Sequence, residues 1–291
     1  MRAMTAALQL LVNGVALGSL LAVVAFGLAL VFGVMGVVNF LHAEFLTLGG
    51  YVTYFLVTGT GASPLLGVVA ATAVGLVLGY GVQRTVIARV SNRPPLEGLL
   101  LTYGLSVVGL GLITYFFTGD FRSYPAQFQG ALSIGGVSVA FRDLVVLILG
   151  AVILFGAGAL LRWTRTGGAM RAVAQHRDAA AACGINLVKI DALAFALGGG
   201  LGAAAGAMLS TSFVTTPELG QRWLLIGFVV VVLGGLGSLT GVVYAGLGIG
   251  VLQVVLGYVL DDTWAQLLIY LLLFVLLLLR PGGLAKKLEP A

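Results

Sequence analysis

The chain has 291 residues, 60% of them hydrophobic, and only 15 Lys or Arg and 10 Asp or Glu. A soluble sphere of this size needs far more polar residues to cover its surface, so the composition excludes a water-soluble globular domain and requires lipid as the main solvent. The net charge of +5 does not mark a nucleic-acid-binding surface, because Lys and Arg punctuate apolar runs and do not cluster on one face of a soluble domain.

Residues 3–43, 45–83, 98–119, 192–217 and 223–260 contain no Asp, Glu, Lys or Arg. A helix needs about 20 such residues to cross a bilayer. This pattern predicts crossings over 8–33, 64–86, 97–118, 143–162, 189–212, 223–240, 241–260 and 263–280. The first run follows Arg2, outlasts a signal-peptide core and lacks a small-x-small cleavage site before a polar domain, so it reads as a retained membrane helix. Apolar residues are continuous and do not alternate, which excludes a membrane β-barrel. Residues 39–58 differ, because only about 14 apolar residues separate Glu44 from the Thr58-Gly59-Thr60-Gly61 turn. That length favours a broken or re-entrant helix. Residues 123–141 are uncharged yet polar, with Ser123, Gln127, Gln129, Ser133 and Ser138, and Ile134-Gly135-Gly136-Val137 predicts a hairpin turn in an exposed loop. The expected fold is all-α and polytopic: about eight transmembrane helices and one short broken or re-entrant helix, in a single domain over 1–291.

Basic residues set the orientation, because they accumulate on the cytoplasmic side. Arg84, Arg89, Arg93, Arg162, Arg165, Arg171, Arg177, Lys189, Arg280, Lys286 and Lys287 share one side with only Glu97, Asp178, Asp191 and Glu289. The opposite side carries Arg122, Arg142 and Arg222 against Asp120, Asp143, Glu218, Asp261 and Asp262. Segment 163–188 is therefore expected in the cytoplasm and loop 119–142 outside. Eight crossings put both termini in the cytoplasm.

The chain offers little for catalysis, and no catalytic residue, cofactor or metal site is expected. His42 and His176 are far apart, no Cys/His/carboxylate group has metal-ligand spacing, and the single Cys183 cannot form an intrachain disulfide. None of the three lysines precedes Ser or Thr, so no Walker-type phosphate loop exists. A self-powered ion-coupled transporter keeps several ionisable groups inside the membrane, whereas only Glu44 is placed there. Transport energised by another subunit is therefore expected ahead of an ion-coupled secondary transporter.

Two constellations stand out. The first is Asn39-Phe40-Leu41-His42-Ala43-Glu44, followed by Thr47 and Gly49-Gly50-Tyr51. A carboxylate in lipid is costly unless paired or hydrated, and Asn39 and His42 are the nearest residues able to share hydrogen bonds with Glu44. This cluster faces the protein interior, either pinning a broken helix or touching substrate. The second runs from Arg162 to Asn186. Ala-rich helix formers over 169–183 predict an amphipathic helix outside the membrane, with Arg171 and Arg177 on its polar side and Gly184 placed to stop it. Such a helix can lie on anionic lipid. It can also dock a partner, because Asp178-Ala179-Ala180, three residues and Gly184 resemble the EAA-x3-G signature of ABC importer permeases.

The resemblance extends over nearly the whole chain, which is similar to the LivH-type permeases of branched-chain amino acid ABC importers. An N-F-x-H-G-E segment is matched by Asn39, Phe40, His42 and Glu44. A G-x-A-M-R-A-x-A stretch ending in G-I-N is matched by Gly167, Ala169 to Ala172, Ala174 and Gly184 to Asn186. L-G-G-x-G-S-x-x-G is matched by Leu233 to Gly235, Gly237, Ser238 and Gly241, and R-P-x-G-L by Arg280, Pro281, Gly283 and Leu284. The chain departs from the pattern at Ala43, where Gly is usual, Gly168, where a basic residue is common, and Thr240, where Pro is frequent.

The resemblance implies a multi-pass subunit of the bacterial inner membrane. Its partners would be a homologous second permease, cytoplasmic ATPase subunits and an extracytoplasmic substrate-binding protein, in contact with the lipid bilayer and with no nucleic acid. Substrates would be Leu, Ile and Val, or amides and urea in sister systems. Arg171, Asp178, Ala179, Ala180 and Gly184 would form the ATPase-coupling surface. Gly198, Gly202 and Gly206, each four residues apart, present a smooth stripe for close helix packing, a spacing repeated at Gly14/Gly18, Gly75/Gly79, Gly237/Gly241 and Gly246/Gly250.

Overall fold

A computed structural model describes residues 2–279 except 91–92, 126 and 135. The R-P-x-G-L motif and the basic residues Arg280, Lys286 and Lys287 lie outside the described residues. The helices are α1 (Arg2–Met35), α2 (His42–Thr60), α3 (Pro64–Thr85), α4 (Pro95–Phe117), α5 (Phe141–Trp163), α6 (Arg165–Gln175), α7 (Arg177–Ala182), α8 (Leu187–Ser210), α9 (Leu219–Gly234), α10 (Leu239–Val259) and α11 (Asp262–Leu279). Seven of them, α1, α3, α4, α5, α8, α10 and α11, are long and apolar enough to cross a membrane. The crossing expected over 223–240 is the shorter α9, of 16 residues. Strands β1 (Ala131–Ile134) and β2 (Val137–Ala140) form the expected hairpin, with Ile134 opposite Val137.

Helices α1 and α8 form the centre, with 83% and 89% of an apolar 18-residue stretch of each buried. Water cannot drive apolar helices together inside lipid, so close packing decides which helices associate. On α8 the small residues allow it from several sides at once: Gly75 of α3 sits against the Gly199 carbonyl, Gly49 of α2 against that of Ala203, and Gly27 of α1 against that of Gly198. Helix α10 packs antiparallel on α1 through Gly14, Gly18, Gly246 and Gly250, each facing backbone of the other helix.

Two features differ from the sequence expectation. The break expected within 39–58 lies before the helix, in the non-helical segment 36–41, while α2 runs uninterrupted for 19 residues. Gly49 and Gly50 serve as contact points and do not break it, and Thr53, Thr58 and Thr60 donate to the carbonyls of Gly49, Tyr54 and Leu56 one turn earlier. The hydroxyls thereby satisfy themselves within the helix.

The second difference follows from the first, because 36–60 carries the chain to the other end of the bundle. Near the start of α1, Gln9 clamps the hairpin through Ser138, donating to its carbonyl at 2.7 Å and accepting from its N–H at 2.8 Å. At the other end of α1 the Val34 carbonyl accepts from Arg177 at 3.3 Å. After a two-residue connection α11 packs back along α10 and α9. The start of α1 and the end of α11 therefore emerge at opposite ends, where a count of eight crossings puts them on one side.

Candidate functional site

The polar residues of α2 point at three different neighbours. His42, fully buried, donates from Nε2 to the Val24 carbonyl of α1 at 3.1 Å. A carbonyl only accepts, which places the ring proton on Nε2. Its ring is cradled by Gly27 of α1 and Gly202 of α8, where added Cβ atoms would approach Cε1 to 2.8 and 2.9 Å. Glu44, 3% exposed, accepts from the Ser106 hydroxyl of α4 at 2.9 Å. Helix α4 reaches it because Gly109 leaves room for the Glu44 methylenes. Thr47 accepts from the Gly220 N–H of α9 at 3.0 Å and shares its own proton with the carbonyls of Ala43 and Pro217.

Asn39, His42 and Glu44 are thus all buried, but their side chains do not bond one another. Residues 42 and 44 are about 200° apart around a helix, at about 100° per residue, so each must find its partner on a different element. Asn39, in the break between α1 and α2, has no partner for either side-chain atom, and His42 Nδ1 is also unpaired. Sequence reasoning missed Ser106 and the glycine cradle. Gly27 and Gly109 signalled them as glycines among bulkier neighbours, and Gly202 as a member of the small-residue stripe of α8.

The segment 163–188 is two helices, a correction to the single helix expected over 169–183. His176 takes an extended conformation between α6 and α7, and its Nδ1 caps α7 by accepting from the Ala179 N–H at 3.2 Å. Gly184 ends α7 as expected, with φ +83°, and Ile185 N–H closes the turn on the Ala180 carbonyl at 3.1 Å. Asp178, Ala179 and Gly184 are exposed, whereas Ala180 is buried with Met170 and Val173 against the bundle. Arg171 donates to the Leu161 carbonyl at the end of α5.

Arg177 does not lie on a solvated face. Its guanidinium forms a two-pronged pair with Asp191 of α8, Nη1 to Oδ1 at 3.0 Å, and also donates to Val34 of α1. Asp191 is only 1% exposed. The sequence gives no hint of this pair, because 14 residues and a helix end separate its members.

The stripe Gly198, Gly202 and Gly206 faces Val31 of α1, His42 and the Leu46 carbonyl of α2 in turn. The Gly234–Gly241 turn lies at the same end as α6 and α7: Gly235 and Gly237 have φ of +91° and +92°, and Ser238 caps α10.

Residues 10–278 match the family model described as "Branched-chain amino acid transport system / permease component". The chain belongs to this permease family. It is 28% identical to the "High-affinity branched-chain amino acid transport system permease protein LivH" of Salmonella typhimurium, over 97% of this chain and 96% of that one. The same identity and coverage relate it to the permease protein BraD of Pseudomonas aeruginosa. At 24% identity it resembles the "Probable branched-chain amino acid transport permease protein LivH" of Methanocaldococcus jannaschii, over 95% and 91% of the two chains. In this permease the buried polar residues of α2 and the paired helices α6–α7 are linked through α1 and α8.

Proposed function

We propose that the chain is the permease subunit of an ABC importer that moves branched-chain amino acids, Leu, Ile and Val, across the bacterial inner membrane, with ATP hydrolysed by separate subunits. The observation that carries this reading is the Arg177–Asp191 pair, which ties exposed α7 to the two central helices. The end of the bundle bearing α6 and α7 also carries Arg84, Arg89, Arg162, Arg165 and Lys189, which supports placing it in the cytoplasm. On this reading α1 begins on the extracytoplasmic face and the hairpin loop 119–142 receives a substrate-binding protein. A homologous second permease completes the path.

The ATPase subunits bear on Asp178, Ala179 and Gly184, while Ala180 and Arg171 seat the segment on the bundle. Displacement of α7 passes through Arg177 to Val34 and Asp191, so α1 and α8 move with it. The smooth stripe Gly198, Gly202 and Gly206 suits sliding between α8, α1 and α2. His42 and Glu44 keep α2 registered to α1 and α4, and the unpaired Asn39 amide lies in the segment that joins α1 to α2. No covalent chemistry is required of the subunit.

The test is uptake of labelled leucine into liposomes holding the complete complex, with the binding protein outside. Uptake should require ATP and the binding protein, and Ala179→Trp should abolish it while the permease still elutes as a single species. Gradient-driven uptake by this chain alone would overturn the reading. ATP-driven uptake of urea or an amide in place of leucine would overturn the substrate assignment.

A further inference from the structure

Helices α5 and α10 both pack on α1 but share almost no contact with each other. Between their ends on the α6 side lies a cleft of about 680 Å³, floored by the buried Phe26 of α1. That volume falls within the range of about 300–1,000 Å³ typical of small-molecule sites. Its walls are hydrocarbon, with Leu154 and Phe155 on α5 and Leu239 and Val243 on α10. At its mouth stand Arg162, Trp163 and Arg171.

Charge and geometry at the mouth call for an anion with a hydrocarbon tail. Neither Arg162 nor Arg171 has a carboxylate partner among the described residues. Trp163 packs edge-on against Phe155 with ring centroids 6.2 Å apart, and both are 71% exposed. An indole at that level is the usual marker of the membrane–water interface. Guanidinium groups suit phosphate, donating to two of its oxygens in one plane. A second copy of this chain would offer from this end one exposed carboxylate without an ion pair among the described residues, Asp178, against the two arginines, because Glu97 pairs with Arg93 and Asp191 with Arg177.

We infer that this cleft binds one anionic phospholipid, its phosphate held by Arg162 and Arg171 and an acyl chain lying between α5 and α10 on Phe26. Arg171 belongs to α6 and Arg162 to the end of α5, so the bound headgroup bridges the bundle and the α6–α7 pair. Lipid composition would thereby set how firmly α6 is seated.

Native mass spectrometry of the full-length permease, titrated in detergent with phosphatidylglycerol or phosphatidylcholine, tests this directly. One phosphatidylglycerol should bind at least tenfold more tightly than phosphatidylcholine. Arg162→Gln and Arg171→Gln should each weaken it about fivefold, while Arg84→Gln, outside the cleft, should not. Arg171 also contacts Leu161, so Gly158→Leu provides a variant that leaves both arginines in place. A Cβ at Gly158 meets nothing within 4 Å, and the leucine would fill the apolar wall. It should abolish the selective binding. Equal affinity for the two lipids, or selectivity that survives Arg162→Gln and Gly158→Leu, would overturn the proposal, as would a second permease copy displacing the lipid from the cleft.

Discussion

Helices α8 and α4 have 24 and 23 residues and nearly the same mean hydropathy, yet 89% of an apolar 18-residue stretch of α8 is buried against 17% for α4. Lipid is as apolar as leucine, so apolarity alone does not pull a helix into the bundle. What separates the two is shape. The glycines and alanines of α8 let backbones of α1, α2 and α3 approach, whereas α4 exposes Leu100, Tyr103, Leu112, Tyr115 and Phe116. It meets α2 where Ser106 and Gly109 accommodate Glu44 and where Phe117 stacks on Tyr51.

The largest test of this contrast is Gly206→Leu against Gly111→Leu. A Cβ at Gly206 would overlap the Leu46 backbone carbonyl, which cannot rotate away, while Gly111 of α4 has nothing within 4 Å. The first should cost more than about 3 kcal/mol and yield no monodisperse protein on size-exclusion chromatography. The second should elute normally. Equal behaviour would break the comparison.

Next in size is Asp191→Ala on α8, which strips the partner from the half-buried Arg177 and should cost about 3 kcal/mol. Glu97→Ala on α4 breaks the exposed pair with Arg93 and should cost less than about 0.5 kcal/mol. Thermal unfolding in detergent would read both, and uptake should fall only in the first.

Within α4 itself, Ser106→Ala removes the donor to buried Glu44 and should cost about 1–2 kcal/mol. Thr114→Val removes a hydroxyl that bonds only its own helix at Leu110, so its melting temperature should barely move. Opposite in sign is Gly111→Ala, where open space leaves only helix propensity, and stability should rise by up to about 1 kcal/mol. A loss of stability there would show that α4 is covered by a neighbour.

The sequence by itself determined the solvent, the class and most helix positions, because charge-free runs of bilayer length have one stable solution in lipid. It also identified Gly184 as the end of a helix and placed a hairpin near 134–137. These are local properties of the backbone, written in adjacent residues. Only the tertiary structure decided that the break precedes α2, that His176 divides the segment after α5, and that the ends of α1 and α11 lie apart. Gly49 and Gly50 read locally as weak points, but close contact with α8 and the α9 end of the bundle makes them packing surfaces. The partners of His42, Glu44 and Arg177 are likewise 18, 62 and 14 residues away. A helix's period tells which residues share a face, whereas the neighbour that face meets is chosen by the packing of the whole bundle.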